Sequence, residues 1–158
     1  MLWVMNLIKK GMWGKRYKSG IVIVCMNKKI MALVYSEKGN FLLLRTNPKW
    51  MKCDVWFVVT GSIKKGEKEK EAVEREVEEE TGLEILSIKE TDYFCEYEWP
   101  KDSGKMHYEK AFLVKVKEKI PKLSGEHLEF KWLSKTDFLK KIDWEDERDE
   151  LTRILGFV

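Results

Sequence analysis

Gly61–Leu83 reads GSIKKGEKEKEAVEREVEEETGL, and the fold turns on how this stretch is interpreted. From Glu69 to Thr81 it contains neither Gly nor Pro, so the pattern predicts a helix there, stopped by Gly82. At roughly 100° per residue, Ala72, Val73 and Val77 share one side of that helix. Glu76 and Glu80, one turn apart, fall on the same side, and Glu79 sits at its margin. Glu71, Glu74 and Glu78 fall opposite, with Lys70 and Thr81, on a face expected in water. The acidic run therefore divides into a solvated half and a half expected against the protein.

Inward carboxylates at i, i+3 and i+4 repel one another, and their pKa values rise unless a cation sits among them. A hard divalent ion suits them best, because Mg²⁺ takes carboxylate oxygens and keeps positions open for a substrate phosphate. Just upstream, Val55–Thr60 (VWFVVT) reads as a buried strand running straight into Gly61. A glycine at that junction lets backbone approach a ligand closely.

As a template the stretch is G-x5-E-x7-R-E-U-x-E-E-x-G-U, where U is apolar. Gly61, Glu67, Arg75, Glu76, Glu79, Glu80 and Gly82 fill the fixed positions, and Val77 and Leu83 the apolar ones. This resembles the Nudix box, the signature of hydrolases that cut a diphosphate linked to another group, and nothing in it departs from the pattern. The resemblance is sharp over 61–83 and looser over about 30–158. It implies an α/β fold, an α/β/α sandwich in which helices flank a mixed β-sheet. It also implies Mg²⁺, with Mn²⁺ as the alternative ion, held by Glu76 and Glu80 with Glu79, the Gly61 carbonyl and a third acid from outside the box. Arg75 would orient the carboxylates, and Glu67 would brace the loop. The general base stays open between Glu79 and a glutamate elsewhere.

The implied reaction is attack of water on a phosphorus of a nucleoside diphosphate linked to a group X. WFVVTGSIKKGE, EHLEFKWL and the terminal W-x-x-x-R helix resemble members acting on nucleoside or pterin triphosphates, ranked first, and on dinucleoside polyphosphates, ranked second. The alternative from another class is a nucleotide sensor without turnover. Such members usually lose box carboxylates, and this chain keeps them.

Upstream, Gly20–Met26 and Ile30–Tyr35 read as strands separated by Asn27-Lys28-Lys29, and Phe41–Arg45 as the far arm of a hairpin. Asn47–Asp54 reads as a loop. Downstream, Glu84–Glu98 and His107–Lys117 read as strands about a turn at 100–104. Glu126–Leu133 alternates, with Leu128, Phe130 and Trp132 on the apolar face and His127, Glu129 and Lys131 on the other. If the strand extends that far, Glu126 shares the inward parity. The Glu-His-x-x-Phe-x-Trp-Leu stretch resembles segments that supply the third acidic ligand in that family. On that resemblance Glu126 is chosen, with Glu129 the fallback and His127 a surface residue rather than a base. Ser134 and Asp137 form a capping box opening a short helix, and Asp143 caps a last helix over 144–155.

For substrate, Arg45, Lys52 and Arg148 are the candidate phosphate contacts, although an arginine placed like Arg148 more often snorkels or pairs with a neighbouring acid. Trp50, Trp56, Tyr97 and Trp99 are available as aromatic platforms for a base, with Trp56 carried as a candidate contact, although a core role is favoured for those that lie on strands.

The chain has 158 residues, suited to one domain, and no repeat or linker divides 1–158. Residues 1–19 leave open an extra sheet edge, the cover of a homodimer interface, or partial disorder. Thirty Lys+Arg against 27 Asp+Glu give a formal charge of +3, with signs interspersed, so there is no nucleic-acid-binding stripe. The expected partner is a small nucleotide or polyphosphate. Three widely spaced cysteines form neither a CxxC pair nor a disulfide framework, and the N-terminal apolar run is too short for a membrane span. A cytoplasmic protein is expected.

Overall fold

The computed structural model describes residues 26–99, 103–144 and 148–158. Residues 20–25 of the strand expected at 20–26, Cys25 among them, the segment 1–19, the tip 100–102 of the turn and positions 145–147 of the helix expected over 144–155 lie outside the described residues, and Met26 is not in a strand. No described helix is long and apolar enough to cross a membrane.

Strands β1 (Asn27–Ser36) and β2 (Phe41–Thr46) form a hairpin, followed by the short helix α1 (Pro48–Met51), β3 (Trp56–Phe57) and β4 (Val59–Ser62). Helix α2 (Glu69–Thr81) precedes the long strands β5 (Ile85–Glu98) and β6 (Met106–Val116). Strand β7 (His127–Leu133) leads into α3 (Lys135–Lys141) and α4 (Arg148–Leu155). The sheet is mixed. β6 runs parallel to β1 in continuous register from Asn27↔His107 to Ser36↔Val116, and the other pairs are antiparallel.

Alternation along the central strands builds two cores. Ile30, Ala32, Val34, Leu42 and Leu44 face α2 and meet its Ala72, Val73 and Val77. Met31, Leu33, Phe41 and Leu43 face the other way, against Phe138 of α3 and Leu151, Ile154 and Leu155 of α4. Each buried aliphatic side chain contributes about 2 kcal/mol of transfer free energy. The α2 stripe therefore fixes which side of the helix meets the sheet.

Several local expectations are corrected. Asn27-Lys28-Lys29 is strand rather than turn, because pairing with His107–Glu109 extends β1 back over it. The Asn47–Asp54 loop contains α1, with Asn47 accepting from Lys49 N and Pro48 at the first turn. The strand expected over 55–60 is split: Trp56–Phe57 pairs with β2, then Val59–Ser62 pairs with β1. Thr81 is buried, since its hydroxyl turns back onto the Val77 carbonyl at 2.5 Å instead of facing water. Asp143 accepts the Trp56 N–H at 2.6 Å and so pins β3, while the first turn it is expected to cap falls on 145–147, outside the described residues.

Helix α2 occupies the span expected of it, and Gly82 ends it at φ 61°. Glu71, Glu74 and Glu78 are exposed. At its start the Glu71 carboxylate accepts the Lys68 N–H at 2.9 Å.

Candidate active site

Gly61 lies on β4 opposite Ile30, so it faces α2. A β-carbon there would fall 2.0 Å from Cδ and Oε1 of Glu76. The missing side chain is thus what lets the Glu76 carboxylate lie against the strand.

Arg75 ties the loop to the helix. Its Nε and Nη2 donate to the two Glu67 oxygens at 2.7 and 2.9 Å, and Nη2 also reaches the Ser62 carbonyl at 3.0 Å. Its Nη1 donates to Glu76 Oε1 at 2.6 Å and to Glu79 Oε2 at 3.3 Å. Glu67 also accepts the Lys64 N–H at 2.8 Å, closing the loop on itself. The Arg75 bonds, then the Lys64 amide, hold the Glu67 carboxyl down at about 2. Arg75 is in turn raised, chiefly by Glu67.

The box acids differ in environment. Glu80 is buried, and burial pushes its carboxyl up to about 7, with Glu76 and Glu126 pushing the same way and the His127 bond opposing. Glu76 is half-buried and also raised, first by desolvation and then by Glu79 and Glu126, against the pull of Arg75. Glu79 is 54% exposed, between Arg75 and Lys64. Buried carboxylates raised by one another's charge are the condition that a bound cation relieves. The donor set is all oxygen, which suits a hard ion such as Mg²⁺. Among the described residues no three acids yet converge as a finished ligand cage. Glu76 and Glu79 are drawn onto Arg75, so a cation would compete with the guanidinium for them.

Glu126, expected inward by strand parity, is instead exposed, because β7 begins only at His127; it acts electrostatically on both Glu76 and Glu80. Its carbonyl accepts the Asn47 N–H at 2.7 Å, and the Asn47 amide donates to the Gly125 carbonyl at 2.9 Å. These bonds fix α1 beside the site, presenting Trp50 at 69% exposure above Gly125, with exposed Lys52 at the C-cap.

The structure thus gathers Gly61, Arg75, Glu76, Glu79, Glu80 and Glu126 on the α2 side. It does not bring Arg45, Trp56, Arg148 or Glu129 there. Arg45 alternates onto the opposite face and is engaged by Asp54, at 2.8 Å to each oxygen, and by Glu129 at 3.3 Å. Trp56 packs at the edge of the α3–α4 core under Lys131 and Lys141. Arg148 lies on α4, across the sheet from α2.

His127 is a correction. It is buried, not a surface residue, and its Nε2 stands 2.7 Å from Glu80 Oε2. Leu128, expected inward, is 49% exposed. The cause is an irregularity in β7 that no residue type announces.

Comparison with known proteins agrees with this architecture. The NUDIX domain signature matches residues 27–154. An RNA pyrophosphohydrolase of a Nitratiruptor species is 31% identical over 110 residues, 65% of this chain and 66% of that protein, so the chain spans just under two thirds of that relative. The C. elegans Ap4A hydrolase, solved as a binary complex, superposes with a TM-score of 0.67 at 26% identity over 84% of this chain and 97% of the other. The E. coli dihydroneopterin triphosphate pyrophosphohydrolase gives a TM-score of 0.67 at 20% identity over 84% and 99%, a likeness of fold.

Proposed function

The chain belongs to the NUDIX domain family, and on that premise we propose that it is a Mg²⁺-dependent pyrophosphohydrolase acting on a nucleoside or pterin triphosphate. The observation that carries this reading is the braced acid set: Arg75 holding Glu67, Glu76 and Glu79, with Glu80 buried beside them.

In the proposed reaction the oxygen of a water adds to a phosphorus, a bridging P–O bond breaks, and one water proton departs. A nucleoside triphosphate then gives a monophosphate and pyrophosphate. Glu76 and Glu80, with Glu79, the Gly61 carbonyl and Glu126, would hold a divalent ion, which when bound would supply charge neutralisation at the phosphates and a more acidic water. Arg75 keeps the carboxylates in place and Glu67 keeps Arg75 in place. Glu79 and Glu126 are the site acids open to solvent, and the departing proton has these two acceptors. On the substrate side, Trp50 offers its indole face to the ring and Lys52 its ammonium to the phosphates, both from α1 beside Glu126. A cytoplasmic location fits such a substrate.

A second reading, hydrolysis of a dinucleoside polyphosphate, draws on the likeness to the C. elegans Ap4A hydrolase. A product-resolved screen with Mg²⁺ separates them. It includes nucleoside triphosphates, dihydroneopterin triphosphate, diadenosine tetraphosphate and a 5′-triphosphorylated RNA. Pyrophosphate from the triphosphates supports the first reading, and preference for the tetraphosphate the second. Binding without any product, with Mg²⁺ or Mn²⁺, refutes both and leaves a sensor.

A further inference from the structure

Strand β7 enters the sheet through a fault in its ladder with β2. Phe41 to Arg45 pair in step with Leu133 to Glu129, yet Thr46 pairs with His127, so Leu128 is an extra residue. An inserted residue reverses the alternation beyond it. In an unbroken strand His127 would share the face of Glu129 and Lys131, both exposed. With the bulge it turns to the α2 side beside Thr46, and both are buried. The leucine is left in water while the histidine goes inside, the reverse of what apolar burial alone selects.

The His127 and Glu80 side chains are 5% and 6% exposed, and their bond is 2.7 Å long. It is the only hydrogen bond of the Glu80 carboxylate among the described residues. The other ring nitrogen, Nδ1, is buried with no hydrogen-bond partner. A Glu80 that ligates a cation accepts at both oxygens, so Nε2 carries the hydrogen and donates it to Oε2. The imidazole makes one bond, and that bond is to Glu80.

We propose that His127 is a positioning residue that fixes Glu80 by one oxygen and leaves the other directed at the cation site shared with Glu76, a role that rests on the metal-dependent reading above. Without it the Glu80 carboxylate rotates freely or stays buried with no donor. Groups that hold a metal ligand in place are worth about ten- to a hundredfold in metal affinity.

Mn²⁺ binding to the full chain, followed by electron paramagnetic resonance, tests this without relying on turnover. His127→Leu should weaken Mn²⁺ by at least about tenfold. His127→Gln, whose amide donates from near the Nε2 position, should stay within about threefold. In a Glu80→Gln background His127→Leu should add less than about a twofold loss, because His127 acts through Glu80. A folded His127→Leu chain with wild-type affinity, or an undiminished further loss in the Glu80→Gln background, overturns the role. Should the leucine variant not fold, His127→Asn replaces it. Its shorter amide falls short of Glu80, so the same loss is expected and wild-type affinity overturns the role. A wild-type chain that binds no Mn²⁺ overturns the metal-dependent reading and this role together. One that binds it and is indifferent to His127 overturns the role alone.

Discussion

Gly61→Ala separates the folding role of the box loop from its chemical one. The new β-carbon would lie 2.0 Å from Cδ and Oε1 of Glu76 and 2.3 Å from Cγ, so the carboxylate must move by more than an ångström to reach ordinary contact. Gly61 is not among the positive-φ glycines, so alanine meets no backbone strain there. The displaced group is the far end of a flexible side chain, and β4 itself need not shift. What is lost is the 2.6 Å bond from Arg75 to Glu76. A hydrogen bond to a charged group contributes about 1.5–3 kcal/mol. At about 2–4 °C per kcal/mol for a chain of this size, the melting temperature should fall by roughly 3–12 °C, with unfolding still cooperative. Turnover should fall by at least about a hundredfold, since the displaced oxygen is a proposed cation ligand. Calorimetry and pyrophosphate release on one preparation measure both. A cooperatively folded variant with turnover within about threefold of wild type would refute the placement of Glu76 in the chemistry.

Glu80→Gln should lose at least about a hundredfold in turnover while melting no lower than wild type at pH 8, because an amide removes a buried charge. A matching loss of stability would point to a structural glutamate instead. Glu80 has its folded pKa, about 7, above the ordinary 4.5, so the metal-free folded chain holds a proton that the unfolded chain has released. Its contribution is complete below about pH 4.5 and is lost as pH rises through about 7, amounting to roughly 3 kcal/mol. In EDTA the melting temperature should therefore fall between pH 5 and pH 8, with Mg²⁺ restoring more at pH 8; a flat profile would contradict the burial argument. Trp50→Leu should raise KM for a nucleoside triphosphate about tenfold at similar kcat, given about 1–3 kcal/mol for base stacking, and leave inorganic tripolyphosphate hydrolysis unchanged. Equal effects on both substrates would remove Trp50 from ring recognition.

Local interactions were legible in the residues. Helix α2, its Gly82 stop and the division of its glutamates between water and sheet depend on neighbours within one or two turns, which a 3.6-residue period records. The hairpin and the long strands β5 and β6 likewise follow their own patterns. Partner-dependent features were not legible. Asn27–Lys29 become strand because β6 lies alongside, and Val58 marks the change of partner from β2 to β1. Arg45 reads as a free strand-end cation until Asp54 and Glu129 are placed around it.

By itself the sequence determined that a glycine loop and a carboxylate-bearing helix follow a buried strand, since spacing and side-chain type are written along the chain. Only the tertiary structure decided which groups stand beside those carboxylates. Thr46 and His127 come together across β2 and β7, and one extra residue there reverses a side chain's face without any change in composition. Strand register is a property of two segments at once, so neither segment's alternation alone could place His127 against Glu80.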